Sequence, residues 1–126
     1  LSSTIEPALA NLSPIIIVLV FITWATIMTN ACSNMVTVTV VCAVAIPICM
    51  ASGGAINTSA VACSVGMLAS YAFILPPAHP NVALAIGTGW TPAAQIIKYG
   101  CVLAAVAIAA SLVVGYPIAS ALMPAV

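Results

Sequence analysis

Asn30, Ser33, Asn34 and Thr37 place four polar side chains within eight residues, in the middle of a stretch from Pro14 to Met50 that carries no charged residue. Their spacing suits a turn between two helices. A helix ending at Ala31 leaves its last carbonyls without intrahelical donors, and such oxygens suit a hard cation such as sodium. A helix starting just after Ser33-Asn34 offers free N–H groups and a positive dipole end, which suit an anion. A second break stands at Leu75-Pro-Pro-Ala-His-Pro-Asn81, where three prolines in five residues cannot lie in a continuous helix. Proline removes donors and so leaves more carbonyls free. The candidate cation ligands are therefore the backbone around Ala31, Ser33, Pro77 and His79, with the Ser33 and Asn81 side chains assisting. A cage of neutral carbonyls needs no acidic side chain, so a chain with a single acid can still hold a cation.

The plainer readings of the same residues are structural. Ser33-Asn34 also fits an ordinary tight turn, and Asn81 a cap for the helix that follows it. His79 is the one titratable group at either break. It would add charge for an anion or link binding to pH, but a neutral imidazole bonded to a freed carbonyl is the simpler reading. Thr37 and Thr39 suit back-bonding to their own helix.

Composition sets the solvent. Of 126 residues, 65% are hydrophobic and 2% charged, with one acid (Glu6), one base (Lys98) and one histidine. Mean hydropathy is +1.37. A soluble domain carries about 25% charged residues, so these residues cannot clothe a water-facing surface. The chain reads as an integral, multi-pass protein of a plasma or inner membrane. The scarcity of Lys and Arg excludes a nucleic-acid surface. No Ser-His-Asp set, phosphate loop or dinucleotide fingerprint occurs, and nothing supplies an acid, base and nucleophile, so an enzyme is not expected. The five cysteines form no CxxC pair and read as packing residues.

The elements that must hold the two breaks follow from length. As one helix, Pro14–Met50 would be ~55 Å long, nearly twice a bilayer's hydrocarbon core, so it folds back at Asn30–Asn34. Lipid tolerates such a turn only if it is buried in protein or lines a wet cavity. The expected architecture is an all-α membrane unit of four parts. Residues 1–13 form a linker or the end of a preceding segment, and 14–50 a re-entrant hairpin with helices from Pro14 to about Thr29 and from about Met35 to Cys49. Residues 56–90 form a helix to about Leu75, broken by the prolines and followed by a short helix from about Asn81 to Ile86. Residues 92–123 form the last, full transmembrane helix. Ser13-Pro14 and Thr91-Pro92 read as caps with proline at the first helical position, and Pro47 should kink or stop the second helix. Discontinuous helices meeting near a bilayer's middle mark the binding site of a secondary transporter. Lys98 places the start of the last helix in the cytoplasm, with Gly53-Gly54 and the mouth of the hairpin outside.

Thr29-Asn-Ala-Cys-Ser-Asn-Met-Val-Thr-Val-Thr39, with the apolar run to Ile46-Pro47, resembles the Ser-Asn-Thr hairpin motif of the divalent-anion/sodium symporters. Leu75-Pro-Pro-Ala-His-Pro-Asn81, Gly87-Thr-Gly89 and Ile96-Ile-Lys-Tyr-Gly100 resemble that family's broken helix and final helix. The resemblance covers nearly the whole chain and matches the C-terminal repeat. It implies a sodium-coupled carrier of a small dicarboxylate or other divalent anion, with Ser33, Asn34, Met35 and Asn81 at the substrate. It also implies a homodimer, and an N-terminal repeat and scaffold that these residues lack. Three departures stand out. Met35 replaces the motif's Thr and removes a hydroxyl that in the family helps hold a substrate carboxylate. The proline segment is one residue shorter and reads Ala78-His79-Pro80-Asn81. The partner repeat lies outside the sequence. The alternatives are a sulfate or other inorganic-anion carrier, and a membrane assembly subunit with no transport of its own.

Overall fold

The computed structural model describes residues 13–124. The expected linker over residues 1–12, with Glu6, lies outside the described residues. Among the described residues the protein is all-helical, with five helices. Helix α1 is Pro14–Ala31 and α2 is Asn34–Ala51. Helix α3 is Thr58–Ala69 and α4 is Pro80–Gly87. Helix α5 is Ala93–Leu122. Three of them, α1, α2 and α5, are long and apolar enough to cross a membrane, as befits an integral membrane protein.

Polar contacts fix how the helices run. The Thr29 hydroxyl near the end of α1 donates to the Ala69 carbonyl at the end of α3, so these two helices finish side by side. At the other end of α3, Asn57 caps the helix by accepting from the Ala60 N–H at 3.1 Å. Its own backbone N–H reaches the Tyr116 hydroxyl at 3.4 Å, and its Nδ2 donates to the Met123 carbonyl at 2.9 Å. Helix α5 therefore runs antiparallel to α3. The core lies between α1, α2 and α3, where Val18, Ile22, Val41, Val61, Val65 and Leu68 are fully buried.

Several boundaries differ from the sequence expectation. The helix expected to reach Leu75 ends at Ala69, and Ser70–Leu75 is not helical. The unwinding thus begins ahead of the prolines, where the Ala69 and Tyr71 carbonyls and the Ile74 N–H bond to side chains of the hairpin. Pro47 stops nothing, and α2 is one α-helix across it. Pro92 is the N-cap of α5 rather than its first residue, with no side-chain cap. Helix α5 also carries an unforeseen π-helical turn at Ser111–Gly115, where the Tyr116 N–H reaches back to the Ser111 carbonyl. In a regular α-helix the Pro117 ring would collide with the carbonyl of Val113, and the wider turn relieves that clash.

Candidate functional site

The tip of the α1–α2 hairpin and the interruption between α3 and α4 lie against each other. Cys32 is extended (φ −124°, ψ 174°), and its N–H returns to the Met28 carbonyl. Ser33 is extended too and caps α2. Its Oγ accepts from the Val36 N–H at 3.4 Å, and its carbonyl from the Thr37 N–H at 3.0 Å. The carbonyls of the last turn of α1 and the first N–H groups of α2 thus meet over four residues, Ala31–Asn34. Ala31, Cys32, Ser33 and Met35 are exposed, and Asn34 is half-buried.

Two residues tie this tip to the neighbouring break. Thr29 Oγ1 is within hydrogen-bonding distance of the Ala69 carbonyl and 2.8 Å from Asn34 Oδ1. A hydroxyl has one hydrogen, so it donates to one of these two oxygens at a time. Asn30 is 4% exposed. Its Oδ1 accepts from the Ile74 N–H at 2.8 Å, while its Nδ2 donates to the Thr26 carbonyl at 2.8 Å and reaches the Tyr71 carbonyl at 3.5 Å.

Beyond the break, Pro76–Ala78 form one 3-10 turn. His79 then caps α4, its Nδ1 accepting from the Asn81 N–H at 3.3 Å. The imidazole therefore meets an N–H donor, not the freed carbonyl anticipated for it, and Asn81 lies inside α4 rather than capping it. Asn81 is exposed and borders an open groove of about 360 Å³ between α4 and the start of α5, lined also by Phe73, Gln95, Tyr99 and Gly100. Ser33, Asn34 and Met35 do not line that groove. A second groove, of about 380 Å³, runs from Thr26 and Asn30 past Ile74 and Leu75 to Cys101 and Ala104. Thr39 is back-bonded to the Met35 carbonyl at 2.8 Å. Thr37, wholly buried, has no partner for its hydroxyl, contrary to the back-bond expected of it.

Depth follows from the same contacts. The groove places Asn30 level with Cys101–Ala104. At ~1.5 Å per residue that is ~12–16 Å in from the Ala93 end of α5, which continues past the tip together with α4. Gly100 makes the close approach possible. A Cβ there would lie 2.9 Å from the Phe73 carbonyl oxygen and 3.0 Å from the Ile74 Cα.

The structure therefore joins the tip to the start of the break, at Ala69–Ile74, through Thr29 and Asn30. Neither was a candidate ligand in the sequence reading, although Asn30 belongs to the polar cluster that opened it. Both sit at the end of an apolar helix, the one signal that could have singled them out. Among the described residues no three His, Cys, Asp or Glu side chains come together, so the donors the site offers are amides, hydroxyls and backbone. No family model, curated protein or solved structure matches the chain.

Proposed function

We propose that these residues form the substrate- and sodium-binding repeat of a sodium-coupled secondary transporter for small divalent anions, with dicarboxylates as the leading substrate class. One observation carries the reading. Two interrupted backbones, Ala31–Asn34 and Ser70–His79, are held against each other part-way along α5, by Thr29–Ala69 and Asn30–Ile74. Free carbonyls at the end of α1 suit sodium, and the N-terminus of α2 suits a carboxylate. Irregular backbone at membrane depth is tolerated where it lines a cavity, which is the arrangement of discontinuous-helix carriers. In this reading Ala31 and Ser33 contribute oxygens to sodium, chiefly from the backbone, and Ser33, Asn34 and Met35 face the anion. Pro77, His79 and Asn81, which stand at the far side of the break with Asn81 on a separate groove, join these ligands only when the tip and α4 close on them. A partner repeat and scaffold close the site, and the whole works as a homodimer.

Met35 favours a second reading. It is 79% exposed at the tip, where the resembled motif has a hydroxyl. A thioether offers no donor and fills space, which suits a compact anion such as sulfate. Competition uptake of labelled succinate and sulfate, with and without a sodium gradient, tests both readings in native and Met35→Thr forms of the full-length protein. Sodium-driven uptake of either anion supports the carrier. A dicarboxylate carrier gains succinate affinity from the new hydroxyl, by at most the ~1.5–3 kcal/mol of a charge-assisted hydrogen bond. A sulfate carrier loses affinity for its own anion. Absence of sodium-driven uptake of both anions overturns the proposal.

A further inference from the structure

Helix α3 stops at Ala69, and six residues, Ser70-Tyr-Ala-Phe-Ile-Leu75, separate it from Pro76. None of the six is glycine or proline. Pro76 forces its predecessor out of the helical region, and Leu75 is extended accordingly (φ −106°, ψ 144°). That restriction does not reach back to Ser70. Two backbone groups of the segment, and the carbonyl of Ala69 just before it, instead have partners on the hairpin. The Ala69 carbonyl accepts from Thr29, the Tyr71 carbonyl from Asn30 Nδ2, and the Ile74 N–H donates to Asn30 Oδ1. In a continued helix Ala69 would accept from Phe73, Tyr71 from Leu75, and Ile74 would donate to Ser70. Asn30 and Thr29 thus stand in for the helix's own partners. Asn30 is itself fixed, because its amide is also held by the Thr26 carbonyl.

We infer that Asn30 and Thr29 are positioning residues that end α3 at Ala69, and that Ser70–Ile74 rewinds into helix when the hairpin tip withdraws from it. A buried backbone group needs some partner. Once the hairpin side chains leave, the nearest replacements are those of the helix itself. The prolines then mark only the far limit of the break, and its near limit travels with the tip. Any movement of the hairpin would lengthen or shorten α3 and swing Phe73 relative to α5.

Spin labels at Ser70 and Phe73, both exposed, test this in the full chain in bilayers with the native cysteines replaced. Residues three apart are ~5–6 Å apart on a helix and about twice that in extended chain. The unsubstituted chain should show the long distance. Asn30→Leu should shift most of the population to the short one, while Asn30→Asp, which keeps the acceptor for Ile74, should retain the long one. If Asn30→Leu fails to accumulate, Thr29→Val removes only a hydroxyl at nearly constant shape, and a growing short-distance population is expected. A short distance in the unsubstituted chain, or a long one that survives Thr29→Val and Asn30→Leu alike, overturns the inference. The distance is read without a transport assay, so it stands apart from the proposed function.

Discussion

Pro47 and the segment Ser70–Leu75 are opposites. Pro47 is a helix breaker by chemistry, yet α2 runs through it without interruption. Ser70–Leu75 holds no breaker, yet it is unwound. The difference lies in what surrounds the backbone. Pro47 removes one donor on an exposed stretch of α2, where Ala43, Ile46 and Pro47 itself all face outward, and among the described residues no side chain bonds to the backbone there. Ser70–Leu75 lies beside Asn30 and Thr29, which supply competing partners with their side chains already in place. In a nearly dry interior a helix continues by default, because its backbone groups have nowhere else to go. It ends where another element offers them somewhere better.

The contrast can be broken at two places. The larger effect belongs to Gly100→Ala. The new Cβ would meet the Phe73 oxygen at 2.9 Å and the Ile74 Cα at 3.0 Å. Both are backbone atoms and cannot rotate away. Overpacking of this kind costs ~1–3 kcal/mol. It should appear as reduced stability in reversible unfolding from bicelles, and as loosening of Ile74 from Asn30. An unchanged stability would mean that α5 does not press on the unwound segment. Pro47→Ala should do less, and in the opposite direction. It restores one N–H to its hydrogen bond and removes the crowding of the Ala43 carbonyl by the ring, which together cost up to ~3 kcal/mol in a helix interior, and it gives back ~0.4–1 kcal/mol by freeing the unfolded chain. A gain of no more than ~2 kcal/mol is expected in the same assay, with Ser70–Leu75 still unwound. A gain that came with rewinding of Ser70–Leu75 would show that local breakers govern these helices after all.

Helix length and apolarity made most of the architecture legible. The uncharged run of Pro14–Met50 had to fold back, and Asn30–Asn34 was the polar place to do so; the structure turns at Cys32-Ser33. The run through Leu75–Asn81 had to break, and it does. The near end of that break was not legible, because propensity and proline positions describe the segment alone, while Asn30 and Thr29 act from about forty residues away in sequence. The π turn escaped for a related reason. Gly115 and Pro117 stand in the sequence at that point, but a proline there can end a helix or widen it, and the residues alone do not say which. Of the candidate site, the polar residues at the tip were visible from their setting. Their partners were not, since a carbonyl such as that of Ala69 carries no signature in the sequence.

The claim on which the rest depends is that the hairpin tip is held inside the membrane against the broken helix. Cys32 is native, sits at that tip and is exposed there. Its rate of reaction with a small membrane-impermeant thiol reagent, compared with that of a cysteine placed at Ala55 in the link between α2 and α3, tests the claim most directly, with the other native cysteines replaced. The predicted result is slow labelling from one side only, slowed further by sodium together with succinate or sulfate. Labelling as fast as at position 55 and indifferent to sodium and anion would contradict it, and would make the tip an ordinary surface turn between two spanning helices.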